Sequence, residues 1–210
     1  MLHSLVLLWF SWVRDGGYLG VFFLMALEST IVPIPSELIL PPAAFWAAQG
    51  HMSFWGVVAA GTLGSYAGSA VSYLACRWLG GRFLHQYGRY VLLTDEKITM
   101  AERLVRDHGA FGIFVSRMLP VVRHLISMPA GVFKMDFKIF SLVTLSGAGI
   151  WCYILALWGQ KILGAHPELL NSPEQMMSAV KSEMIWFVAG IAGLALLYSL
   201  VVFYKKSLRK

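Results

Sequence analysis

The chain has 210 residues, 58% of them hydrophobic and only 13% charged, with a formal net charge of +6 and a mean hydropathy of +0.66. About a quarter of the residues in a soluble domain are charged, so this composition excludes an ordinary water-soluble fold and places the chain in a bilayer. Cys76 and Cys152 both fall in apolar stretches near tryptophans, which reads as small core residues rather than a disulfide or a metal pair.

Met1 to Arg14 is apolar and aromatic but has no basic leader and no small-residue cleavage site. An interfacial helix over 1–14 is expected there, not a signal peptide or a full span. Tyr18 to Ala48 is apolar yet holds Glu28, Pro33, Pro35, Glu37, Pro41 and Pro42. Met52 to Cys76 has no Asp, Glu, Lys or Arg and is long enough to cross a bilayer, which takes about 20 residues. The 82–106 stretch mixes Arg82, Arg89, Lys97 and Arg103 with Phe83, Leu84, Tyr90, Ile98 and Leu104, the pattern of amphipathic helices lying on a membrane surface. Phe111 to Phe133 is again apolar but holds Arg117, Pro120, Arg123 and Pro129. Ile139 to Gln160 and Met184 to Tyr204 are two further expected spans. Between them Ala165 to Glu183 is a polar loop in which nothing suggests chemistry.

The two proline-broken regions belong to a repeat. Asp15, Gly17, Gly20 and Phe22 recur 92 positions later as Asp107, Gly109, Gly112 and Phe114. Pro42-Ala43 answers to Pro129-Ala130, and at a spacing of 83 Met52, Phe54 and Gly64 answer to Met135, Phe137 and Gly147. Proline breaks helices, and irregular backbone at membrane depth survives only inside protein or against a water-filled cavity. Each region is therefore expected to be a helix-break-helix re-entrant hairpin, with breaks at Pro33, Pro35, Pro120, Pro129 and Gly131. Matched broken segments in two halves are the sequence pointer to a transporter's binding site.

Most Lys and Arg fall between Arg77 and Arg106, at Lys134 and Lys138, and in the tail from Lys205 to Lys210. The positive-inside rule turns these segments to the cytoplasm. Met52–Cys76 then runs inward and Ile139–Gln160 outward, so the first hairpin enters from outside and the second from the cytoplasm. The expected fold is an all-α polytopic membrane protein. It consists of repeat 1 over 15–81, repeat 2 over 107–164 inverted with respect to it, and a C-terminal transmembrane helix over 184–206 with its end in the cytoplasm.

Glu28, Glu37, Arg117 and Arg123 are ionisable groups in segments that sit within the bilayer, where such groups are costly unless paired or hydrated. Acids occupy one hairpin and bases the other. Arginine suits phosphate, because its planar fork donates two parallel hydrogen bonds and stays protonated; a carboxylate taken out of water gains proton affinity and can shuttle protons. The bland alternative is a salt-bridge clasp between the hairpin tips. His124, beside Arg123, and Tyr73 are secondary candidates, weighed against a structural hydrogen bond and ordinary packing. Gly61, Gly64 and Gly68 with Ser65, Ser69 and Ser72 form a small-residue face that reads as close helix packing.

The segments Glu28-Ser-Thr-Ile-Val-Pro33-Ile-Pro35-Ser-Glu37, Gly64-Ser-Tyr-Ala-Gly68 leading to Tyr73, and Phe114-Val-Ser-Arg117-Met-Leu-Pro120-Val-Val-Arg123 followed by Pro129-Ala-Gly131 resemble the DedA family of bacterial inner-membrane proteins, related to the VTT domain of eukaryotic lipid scramblases. The resemblance covers roughly residues 15 to 164. It implies opposed re-entrant hairpins, required acidic and arginine residues, and movement of lipid between leaflets. The lipid it implies is undecaprenyl phosphate or phosphatidylethanolamine, with a link to the proton motive force. Glu37 follows Glu28 by only nine residues, where some members carry a longer loop ending in Asp, so a role passes to Glu28 more directly than to Glu37.

The expected function is a flippase for undecaprenyl phosphate or a related anionic phospholipid. Arg117 and Arg123 would grip the head group, and Glu28 and Glu37 would couple to protons. Two arginines match a phosphate monoester better than a zwitterion. No cofactor, metal or nucleic-acid partner is expected, and a homo-oligomer is compatible with the sequence. A phospholipid scramblase and a proton-coupled ion transporter are the competing readings. A lipid phosphatase lacks its parts: after Ser116-Arg117, His124 falls one residue late and the Asp expected four residues after it is absent.

Overall fold

A computed structural model describes residues 2–30, 35–88, 109–118 and 125–166, together with Arg103, Val105, Arg123, Gln175 and Ser182. Pro33, Pro120, His124, most of the 82–106 linker and the 184–206 helix lie outside the described residues. Among the described residues every regular element is helical, as a bilayer demands of apolar runs that must satisfy their own backbone groups.

Helix α1, Leu2–Glu28, is bent at Gly17, where φ 53° and ψ −130° leave helical space. The bend turns the chain back on itself and sets Gly20 beneath the Trp12 carbonyl, with no room for a Cβ. Beyond Glu28 the helix stops. Pro35 is extended and leads into a single 3-10 turn, Ser36–Leu38, and then α2, Leu40–Ala48, which carries Pro41 and Pro42 in its first turn, where an N–H has no helical partner to lose. After a turn at Gly50, φ 86°, α3 runs from Phe54 to Gly88 with a kink at Gly80.

The second half has the same order. Residues 109–117 are helical, α4 is the short helix Ser127–Val132, and α5 is the long helix Phe137–Ala165. Asp136 caps α5, its carboxylate accepting the backbone N–H groups of Lys138 and Ile139 at 2.9 and 3.1 Å, which satisfies donors a helix start leaves orphaned. Landmarks matched in the sequence fall on matched structure. Gly17 and Gly109 both have positive φ, 53° and 52°, and Phe54 and Phe137 are the first residues of the two long helices. A Cβ on Gly64 would strike the Phe22 carbonyl, and one on Gly147 would come to 3.8 Å from the Phe114 carbonyl oxygen.

The halves interlock. The short helix α2 packs chiefly on α5, and α4 packs chiefly on α3, so each short helix docks on the long helix of the other half. Glycines make the approach: Gly159 of α5 lies under the Pro41 backbone, and Gly131 of α4 under the Tyr73 carbonyl. Within lipid, such packing is driven by van der Waals contact rather than by expulsion of water. One buried cluster joins Leu24, Met25, Ile39 and Leu40 to Trp151 and Leu155. A second joins Tyr73, Ile126, Ala130 and Phe140, with the Tyr73 and Phe140 rings stacked at 4.4 Å. Cys76 and Cys152 are buried and unbridged.

One expectation changes here. Pro129 and Gly131, expected as helix breaks, lie inside α4; Pro129 falls in the first turn, where its missing donor goes unused, and Gly131 is a contact residue. The chain instead leaves the helix at Met118 and re-enters at Ser127.

Large apolar side chains lie on the exterior, and a polar cluster lies among the buried apolar ones. Leu19, Phe23, Leu63, Val71, Leu142 and, at 85% exposure, Trp78 face outward, while among the described residues eight Ser/Thr side chains with Glu28, Arg117 and Arg123 are buried. So large an exposed apolar surface is foreign to soluble monomers. By length and composition one helix among the described residues, Phe137–Ala165, is apolar enough to cross a membrane; the glycines and serines of α3 dilute its hydropathy.

Candidate functional site

Where both halves lose their helices, their polar groups meet. Glu28 ends α1 and is 3% exposed; Arg123, in the break before α4, is 5% exposed. The Arg123 Nη2 donates to both Glu28 oxygens, at 3.1 and 3.0 Å. Glu28 Oε1 also accepts the backbone N–H of Ser36 at 2.9 Å, so the 3-10 turn helps to seat the carboxylate. Trp151 of α5 covers the guanidinium of Arg123, its ring centroid 5.1 Å away, and its indole N–H donates to Ser36 Oγ at 3.4 Å. A cation desolvated against an aromatic face gains about 2 kcal/mol.

Arg117 sits differently. It closes the 109–117 helix, is 3% exposed, and reaches hydroxyls rather than a carboxylate. Its Nη1 donates to Ser69 Oγ at 2.9 Å, and its Nη2 to Ser127 Oγ at 2.8 Å and Thr144 Oγ1 at 3.3 Å. Its stem fits because Gly147 faces it, where an added Cβ would come within 2.7 Å of the Arg117 Cβ. Arg117 Nε and Arg123 Nη1 are buried and have no hydrogen-bond partner among the described residues. A buried donor without a partner among the described residues is a rare condition for a polar group.

The other expected residues take separate places. Glu37 lies half-buried in the 3-10 turn and makes no ion pair among the described residues. The Tyr73 hydroxyl donates to the Met135 carbonyl and accepts from Arg77 Nη1 at 2.6 Å; it ties α3 to the turn before α5. Ser116, the serine of the phosphatase-like pattern, donates to the Gly112 carbonyl at 2.6 Å, an ordinary contact one helical turn back.

From the sequence Ser69 is expected to serve helix packing, and nothing there marks Ser127, Thr144 or Trp151. The glycines of the α3 face do serve packing, with Gly64 and Gly68 under the Phe22 and Ala26 carbonyls. Its serines turn to the polar interior: Ser65 pairs with Ser29 at 2.9 Å, and Ser72 donates to the Ser29 carbonyl at 3.3 Å. The signal available was a hydroxyl every third or fourth residue on an otherwise apolar span.

An apolar exterior wrapped around a buried cluster of charges and hydroxyls defines an all-α membrane protein with a polar interior site. The model of the VTT domain matches residues 34–161, and the chain belongs to that family, the DedA family of membrane proteins. It is 36% identical over 143 residues to the uncharacterized membrane protein YkoX of Bacillus subtilis, covering 68% of this chain and 63% of that protein. It is 31% identical over 150 residues to undecaprenyl phosphate transporter A of Staphylococcus aureus, covering 70% and 74%. An alkaline phosphatase-like protein of Lactococcus lactis is 33% identical over 195 residues, covering 90% and 87%. No solved structure matches the chain.

Proposed function

We propose that the protein is a transporter that moves undecaprenyl phosphate, or a related anionic phospholipid, between the leaflets of the bacterial inner membrane, and that it is not an enzyme. The observation that carries this reading is the imbalance of the buried cluster. Two arginines lie in a membrane protein's interior, and among the described residues the carboxylate there, Glu28, is hydrogen-bonded to Arg123, whereas Arg117 is hydrogen-bonded to hydroxyls. A phosphate supplies the missing negative charge, and its oxygens suit the planar forks of Arg117 and Arg123. The likeness to a protein named undecaprenyl phosphate transporter A points to the same lipid.

In this reading the matched halves are an inverted repeat, with two re-entrant hairpins entering from opposite faces and meeting at the Glu28–Arg123 pair. Alternating access then follows from rocking one half against the other around a fixed site. Glu28 and Glu37 carry the protons: protonation of Glu28 weakens its hold on Arg123 and frees that guanidinium for the head group. The C-terminus faces the cytoplasm, where the basic residues concentrate. The phosphatase alternative that a relative's name raises is disfavoured by Ser116, whose hydroxyl is spent on the helix behind it.

The test is purified protein in liposomes, assayed for movement of labelled undecaprenyl phosphate, phosphatidylethanolamine and protons. Movement of the monophosphate in preference to the zwitterion, accelerated by a pH gradient, is expected. Glu28→Gln, which keeps size and loses ionisation, should abolish the response to that gradient. A variant that responds as the wild type does would move the proton role to Glu37 or His124, and equal transport of both lipids would favour a scramblase.

A further inference from the structure

Arg117 and Arg123 are buried alike but compensated differently, and the difference has a chemical meaning. A carboxylate neutralises Arg123. Three neutral hydroxyls hold Arg117: Ser69 from α3, Ser127 from α4 and Thr144 from α5. Hydroxyls satisfy N–H groups and fix the plane of a guanidinium, yet they bring no negative charge to it. Three separate elements converge to maintain that state, and Gly147 clears space for the arginine's stem. The Nε edge stays open among the described residues.

We propose that Ser69, Ser127 and Thr144 are positioning residues that keep Arg117 oriented and unneutralised as the standing receptor for a phosphate monoester, and that Arg123 joins the head group only after Glu28 releases it. The inference rests on the anionic-lipid reading above and adds an order of engagement to it. A hydroxyl that accepts from the guanidinium retains its own proton to donate to a phosphate oxygen. The cradle thus adds phosphate ligands without adding competing negative charge. Arg117 binds first because nothing must leave it. Arg123 binds second because a carboxylate must.

The experiment is equilibrium binding of a fluorescent polyisoprenyl monophosphate to the full chain in lipid nanodiscs, read beside the melting temperature of each variant. Thr144→Asp places a carboxylate beside Arg117 and should weaken binding about tenfold or more with no loss of melting temperature; Ser69→Asp repeats the test from α3. Thr144→Val should weaken binding several-fold, about the value of one lost hydrogen bond to a charged group, and Thr144→Ser should recover most of it. Glu28→Gln, which frees Arg123, should tighten binding. Wild-type binding that survives both Asp substitutions, or a Glu28→Gln variant that binds as weakly as Thr144→Asp, overturns the order of engagement. A wild type that binds no monophosphate overturns the lipid reading and this inference with it.

Discussion

Positions 83 residues apart on α3 and α5 stand on the same turn of the same kind of helix and carry different chemistry. In the sequence Gly64 corresponds to Gly147 and the opening Phe54 to Phe137, but Ser65, Ser69 and Ser72 on α3 correspond to Ala148, Cys152 and Leu155 on α5, and Gly61 and Gly68 to Thr144 and Trp151. The shared residues build the frame, since glycine at those points lets a neighbouring backbone or an arginine stem approach. The divergent residues build the site. Its partners come from both halves: Glu28 and Ser36 of the first seat Arg123 of the second, and Ser69 of the first holds Arg117 of the second. Two similar halves can thus hold an asymmetric charge cluster between them, with acid from one side and base from the other.

The comparison is most sharply broken at the ion pair. Glu28→Leu leaves Arg123 buried without its carboxylate, and breaking a buried pair on one side costs about 3–5 kcal/mol. A large fall in melting temperature is expected in detergent, and a melting curve like that of the wild type would show that the pair does not join the halves. Trp151→Leu should come next. It removes the ring over Arg123 and opens a void between α2 and α5, for a loss of about 2–3 kcal/mol, whereas alanine at Gly68, its counterpart on α3, would press α3 from α1. Arg117→Met sharpens the contrast from the other direction. Replacing a buried charge that has no counter-ion with an apolar side chain of similar reach should change stability by about 1 kcal/mol or less while removing monophosphate transport. Should this variant melt as early as Glu28→Leu, Arg117 is a structural clasp and the two arginines do not differ.

Much of the frame was legible in the sequence, because apolar length, proline and glycine act locally. The residues matched at spacings of 92 and 83 include Gly17 and Gly109, which both take positive φ, and Phe54 and Phe137, which open the two long helices. Glu28, Arg117 and Arg123 were legible as site candidates, because a charge in an apolar segment demands a partner. Their partners were not. That Arg123 takes Glu28 while Arg117 takes hydroxyls depends on how α3, α4 and α5 converge, and serine on a span reads equally as close packing. Pro129 misled for a related reason: its effect depends on whether it falls in a helix's first turn or its interior, a matter of one or two residues.

In the proposed reading the two halves lie oppositely across the membrane around the shared cluster. Single cysteines at His51, in the turn before α3, and at Lys138, in the first turn of α5, occupy exposed and matched ends of the two repeats, while the native Cys76 and Cys152 are buried. The decisive measurement is their modification by a membrane-impermeant maleimide in sealed vesicles of known orientation. His51→Cys should react from the outer face and Lys138→Cys only from the cytoplasmic face; reaction of both from one side would contradict the account.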